Sequence, residues 1–246
     1  MNISILTRLS LLASFAFNTA VASVTVTINQ DQYVFAHEPR LVEILTPIAN
    51  QANWYWPSAT LYQVDNIQLE EKRQLLITSL SNLIQRYRTQ NPETAKSIEQ
   101  LQASITNWRL AQRLPIKIDY DLARMVAAAN PQLPKGEYIL SLRPRINTVQ
   151  LFGAVNNTGA VPHLPYTDIS GYITNHNLLG LANKDVVIII QADGRLIKSP
   201  AAYWNKTHQE VMPGSQIFVP FKQSLFKPEF TTINQQIITL ALNRVQ

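Results

Sequence analysis

Apolar positions change their period several times along the chain, and each change marks an element. Residues 23–28, "SVTVTI", alternate apolar and polar at period two and predict a strand. After Pro39, the residues Leu41, Ile44, Leu45 and Ile48 fall on one face of a short helix that Pro47 ends. From 69 to 111 the period becomes helical. Leu76, Leu80, Leu83, Ile84 and Tyr87 form one stripe, and Ile98, Leu101, Ile105 and Trp108 form another. Between them Asn91 is placed as a cap, Pro92 as the first helical residue and Glu93 in the favourable first turn. The two segments predict a helical hairpin of about 40 residues. Its single stripes must pack on each other and on something else.

Strand signals then resume. "PIKIDYD" (115–121) alternates and predicts a strand, "NPQLPKGEY" is loop chemistry, and "YILSL" (138–142) predicts another strand. From 146 the order is strand, Asn156-Asn157-Thr158-Gly159 turn, short returning strand, and a Tyr166-Thr167-Asp168 step into a helix. "DVVIIIQADGRLIKS" follows with a hairpin turn at Asp193-Gly194, and Pro213-Gly214 precedes a last strand. A helix cradled by a mixed sheet after an opening hairpin is the β-grasp arrangement. The class is therefore α+β, with the helical hairpin inserted between two β-rich pieces. Residues 229–243 predict a closing amphipathic helix. Phe230, Ile233, Ile237, Leu240 and Ala241 form its apolar stripe, while Asn234, Gln235, Gln236, Thr239 and Asn243 occupy most of the remainder. Only Arg244 supplies positive charge near its end, too little for an interfacial membrane helix. The helix is expected to lie on the second β-rich piece, burying Phe230, Ile233 and Ile237.

The start of the chain changes the picture of where this fold works. Arg8, the apolar run "LSLLASFAF" and the small residues Ala20-Val21-Ala22 predict a cleaved signal peptide, with Ser23 as the mature start. The competing reading is a buried N-terminal helix. The run is too short to span a bilayer, and nothing later approaches the roughly 20 apolar residues a span needs. The chain contains no cysteine, which removes disulfides, thiolate chemistry, Cys-ligated zinc and a lipidated cysteine. The formal net charge is +5. It is scattered, and pairs such as Lys72-Arg73 or Arg143-Pro144-Arg145 form no stripe, so nucleic acid is not an expected partner.

Catalytic chemistry finds little support. His37, His163, His176 and His208 are too dispersed for local metal-ligand spacing, so neither metal nor cofactor is expected. No GxSxG, SxxK or P-loop is present. Asp119 and Asp121 would share one face of a strand, as a glycosidase pair or as a solvated strand end. Trp54, Tyr55 and Trp56 form an aromatic run, either a platform for apolar sugar faces or core and edge packing.

Several stretches carry a resemblance. "VQLFGAVNNTGAV", "DGR" and "MPGSQIFV" resemble the soluble-ligand-binding β-grasp (SLBB) domains of polysaccharide export proteins. Two features depart from that pattern: "ISGYITNHN" lacks the usual glycine pair after the helix, and "PGS" replaces PGD. The block "ANKDVVIIIQADGRLIKSPAAYWNKTHQEVMPGSQIFVPF" is similar to the GfcC-like capsule biosynthesis family, as are "QRLPIKIDYDLAR", "NPQLPKGEY", "NWYWPSA" and "INQQIITLALNR". The similarity covers essentially the whole chain after residue 22.

After the signal peptide expected at 1–22, the resemblance implies a first β-grasp domain at 23–145 with the hairpin inserted at about 69–111. A second, SLBB-like β-grasp domain at 146–222 and a C-terminal amphipathic helix at 223–246 follow. It also implies a periplasmic, non-enzymatic factor in capsule or exopolysaccharide assembly and export, taken to be a monomer. Its partner would be the polysaccharide or an outer-membrane polysaccharide export protein. The alternative is a periplasmic glycan-modifying enzyme whose carboxylates are brought together by the fold. In the family a Gly-Arg precedes the strand that "PIKIDYD" matches, and the Arg is associated with a pocket in the first domain. Here Arg113 matches and Gln112 replaces the glycine. A guanidinium at that place suits an acidic glycan, or else is a structural arginine bonded to loop carbonyls or to Asp119. The candidate ligand-binding residues are Arg113, Trp54 and Trp56. Trp204 and Asn205 read as core and turn.

Overall fold

The computed structural model describes residues 23–64, 67–173, 178–200, 209–223 and 228–246. Residues 1–22, expected to be a signal peptide, and His176, Trp204, Asn205 and His208 lie outside the described residues. Two five-stranded sheets organise the rest. The first contains β1 (Val24–Ile28), β2 (Asp31–Phe35), β3 (Thr60–Gln63), β4 (Gln112–Arg113) and β5 (Gly136–Ser141), in the order β2-β1-β5-β3-β4. The second contains β6 (Thr148–Gly153), β7 (Gly159–Pro162), β8 (Val186–Ile190), β9 (Leu196–Pro200) and β10 (Gln216–Val219), in the order β7-β6-β10-β8-β9. In both, the first and last strands run parallel at the centre and the neighbouring pairs are antiparallel. A short helix follows each opening hairpin: α1 (Leu41–Leu45) and α5 (Ile169–Ile173). The molecule is α+β, with the same β-grasp-like topology used twice.

Each sheet has its own core. Val24, Val26 and Ile28 alternate inward on β1 and meet Leu41, Ile44, Leu45 and Ile48, as their spacing predicts. The strands β2, β3 and β4 were not legible in the periodicity. β2 is an exposed edge, and β4 is only two residues long.

The helical hairpin consists of α2 (Ile67–Gln90) and α3 (Pro92–Thr106). Asn91 caps α3 by accepting the Thr94 N–H at 3.0 Å, satisfying one of the amides that a helix start leaves unpaired. The hairpin is inserted between β3 and β4 of the first sheet, yet its stripes are buried with the second. Leu76, Leu80, Leu83, Ile98, Leu101 and Ile105 share one apolar cluster with Leu151, Ile189, Ile217 and Phe218. Trp108 meets Phe152 edge-on, their centroids 5.6 Å apart.

The closing helix α6 (Glu229–Leu242) joins this cluster through Phe230, Ile233, Ile237 and Leu240. Asn234 departs from the expected polar back of the helix. It is 3% exposed, accepts the Phe221 N–H at 2.9 Å and donates to the Phe221 carbonyl at 2.8 Å. Both backbone groups would otherwise be orphaned in an apolar setting. Beyond α6 the chain turns back to the first sheet, where the Asn243 carbonyl receives the Ala111 N–H and its side chain receives the Arg113 N–H at 2.8 Å. Among the described residues no helix is long and apolar enough to cross a membrane.

The strand expected over 115–121 does not form. Leu114 still donates to the Leu61 carbonyl, but Pro115 has no N–H and the ladder stops there. Asp119 is instead the N-cap of α4 (Tyr120–Met125), accepting the Leu122 N–H at 3.0 Å. Asp121 lies in the first turn of that helix and faces Arg124, so the two aspartates do not share a strand face.

Candidate functional site

Because the chain after β4 leaves the sheet, residues 113–119 border a cavity of about 760 Å³. The segment from Trp56 to Ala59 forms another wall, and the Asp193-Gly194-Arg195 turn closes it from the second sheet. Leu242 and Asn243, at the end of α6, complete it. The site thus lies at the seam between the two sheets, not within the first domain alone as the resemblance implied.

Arg113 is its most constrained charge. β4 pairs Arg113 with Tyr62 of β3, and the Asn243 side chain holds the Arg113 amide. The guanidinium Nη2 donates to Thr60 Oγ1 and to the Ala192 carbonyl, each at 3.1 Å. It lies against Gly194, whose φ is +90° and where a Cβ would come within 2.6 Å of the guanidinium carbon. Glycine meets both demands, the left-handed backbone and the close approach. Burial pulls the Arg113 guanidinium below the usual arginine value, opposed in part by the charge of Asp193. Among the described residues no carboxylate lies within ion-pair distance of Arg113.

The other charges of the cavity are matched locally. Arg195 Nε donates to Asp193 Oδ2 at 2.6 Å, and Lys117 lies 3.8 Å from Asp119. Arg113 is therefore a partly desolvated cation that feels Asp193 at a distance but has no carboxylate in direct contact among the described residues. The competing partner considered from sequence, Asp119, is occupied by its own helix and by Lys117.

The three consecutive aromatics are separated. Trp56 opens a single 3-10 turn, is half-buried and lines the cavity. Trp54 does not line it: its indole N–H donates to the Ile48 carbonyl at 2.8 Å and its ring packs on the first core. Tyr55 faces the other way, under the guanidinium of Arg145. Sequence reasoning missed Asp193, Gly194, Arg195 and Asn243 as parts of this place. "DGR" was legible as a turn, but nothing in a turn motif says what it faces. Among the described residues no group of acids and histidines converges to hold a metal.

Two family models cover the chain: "Capsule biosynthesis GfcC, N-terminal" over residues 18–145 and "Capsule biosynthesis GfcC C-terminal" over residues 157–246. The chain belongs to the GfcC capsule biosynthesis family. It is also 31% identical over 195 residues to "Uncharacterized protein YjbG" of Escherichia coli (strain K12), covering 79% of this chain and 78% of the relative. The family description names a biosynthetic process and no enzyme class.

Proposed function

We propose that this member of the GfcC family is a periplasmic, non-enzymatic factor in capsule or exopolysaccharide assembly and export. The segment 1–22 carries it across the inner membrane as a cleaved signal. The seam cavity holds an acidic sugar of the polymer, its carboxylate or phosphate on Arg113 and its apolar face against Trp56. The observation that carries the reading is the half-buried guanidinium of Arg113, with no carboxylate at ion-pair distance among the described residues, on a cavity that an indole also lines. A partly desolvated charge favours a counter-charge, and a planar fork of N–H donors matches a carboxylate or phosphate in two-point fashion.

The enzyme alternative has one observation on its side, since Asp119 and Asp193 line the same cavity. Each, however, is already committed: Asp119 caps α4, and both oxygens of Asp193 accept from Arg195. Incubating purified protein with the cell's own polymer should leave its chain length and reducing ends unchanged; new reducing ends would favour the enzyme. For the binding role, Arg113→Ala should impair polymer secretion in a complementation assay, and the exposed Lys96→Ala should not. Equal secretion by both variants, at equal protein level, would remove Arg113 from the function.

A further inference from the structure

A second cavity, of about 290 Å³, opens on the far side of Arg195. Tyr55 and Arg145 form one wall, and His163, Gln191, Glu210 and Met212 belong to the other. Arg195 stands in the wall of both cavities, and the adjacent residues Tyr55 and Trp56 face one cavity each. The two hollows are therefore neighbouring compartments along a single seam between the sheets.

The smaller compartment, like the larger one, sets an arginine beside an aromatic ring, although Arg145 is exposed and Glu210 adds an acid to the lining. Arg145 lies with its guanidinium carbon 5.6 Å from the centroid of the Tyr55 ring. The ring attracts the cation and holds it in one orientation, which reduces the ordering cost of binding. Among the described residues Arg145 has no carboxylate within ion-pair distance. Glu210, the acid in this lining, forms no ion pair among the described residues, and its carboxylate is of the kind that accepts a sugar hydroxyl. Gln191 is held by Ser215 and Met212, and His163 Nε2 by the Val211 carbonyl, so the second wall is fixed before any ligand arrives.

We propose that the Tyr55–Arg145–His163 compartment is a second subsite for the same acidic glycan, with Arg195 between the two. This rests on the reading of Arg113 as an anion-binding residue. The groove then recognises a segment of polymer rather than a single sugar, with acidic groups on both sides of Arg195. Linking two weak contacts on one ligand raises affinity through effective concentration, so binding should strengthen with length until both compartments are filled.

The test is calorimetric titration of the full chain with oligogalacturonates from the monomer to the hexamer. The hexamer should bind at least roughly tenfold tighter than the monomer. Arg145→Ala or Tyr55→Ala should erase that gain, whereas Arg113→Ala should weaken every length. Arg145 is exposed, so its removal should leave the melting temperature unchanged. A length gain that survives Arg145→Ala and Tyr55→Ala overturns the second subsite. Equal binding of monomer and hexamer, still lost in Arg113→Ala, overturns the subsite and leaves the Arg113 reading standing. Absence of binding at any length removes both. Competition by poly-glutamate as strong as by the hexamer would make the groove a seat for an acidic protein segment and would also overturn the proposal.

Discussion

Gly194 and Arg113 show how far a single residue can be read from sequence. Arg113 is legible from its match to a family position, whereas its partner is not. The contact that fixes it, to the Ala192 carbonyl, crosses 79 residues of chain and two sheets. No periodicity records such a meeting. Gly194 follows from it: the turn has φ +90° and a guanidinium where a Cβ would go. Gly194→Ala should destabilise the protein by about 1–3 kcal/mol, because the backbone strain adds to the displacement of Arg113. Urea unfolding checks this, and the variant should also lose anion binding, since Arg113 can no longer lie where it does. The tryptophans divide for the same reason. Both Trp54 and Trp56 are aromatic and consecutive with Tyr55, yet Trp54 spends its N–H on Ile48 and only Trp56 borders the cavity.

The elements were more legible than the residues, because burial stripes are a property of the local sequence. The hairpin, its Asn91 cap and the closing helix form where spacing predicts them. The segment 115–121 alternates without forming a strand, because alternation alone does not make one. A strand needs a partner, and Pro115 has no N–H to continue the ladder with β3. Spacing also could not say which core the hairpin serves. The base of the hairpin is held by Arg73, whose side chain is 18% exposed and donates to the Thr106 carbonyl at 3.2 Å and the Trp108 carbonyl at 2.6 Å. It also pairs with Glu70 on its own helix. Thr106 is the last residue of α3 and Trp108 lies two residues past it, so no further helical turn uses these carbonyls. Arg73→Ala should cost about 1–3 kcal/mol, read by thermal or urea unfolding, because two charge-assisted bonds are lost. Arg73→Lys should recover only part of it, since a single ammonium cannot reproduce the fork. No loss in Arg73→Ala would show that apolar packing alone holds the hairpin.

At the scale of the whole molecule, one topology is used twice and the proposed binding cavity lies where the copies meet. Arg113 of β4 and Arg143, two residues past β5, each meet a glycine turn of the second sheet. Arg113 lies against Gly194, and Arg143 lies 3.2 Å from where a Cβ of Gly214 would be. The hairpin, inserted in the first sheet but buried with the second, and the tail, buried with the second but hydrogen-bonded to the first, tie the two together. This places the cavity on a fixed seam, which is what a preorganised charge requires. The central claim is that Arg113 on this seam is the counter-charge of an acidic polysaccharide. The most direct measurement is isothermal titration of size-fractionated polysaccharide, taken from the protein's own cell, into wild type and Arg113→Gln at matched melting temperature. Saturable binding to wild type with a ten- to hundredfold weaker affinity for Arg113→Gln is predicted, as expected for loss of a charge-assisted contact of about 1.5–3 kcal/mol. Equal affinities for the two proteins, or no binding to wild type, would contradict it.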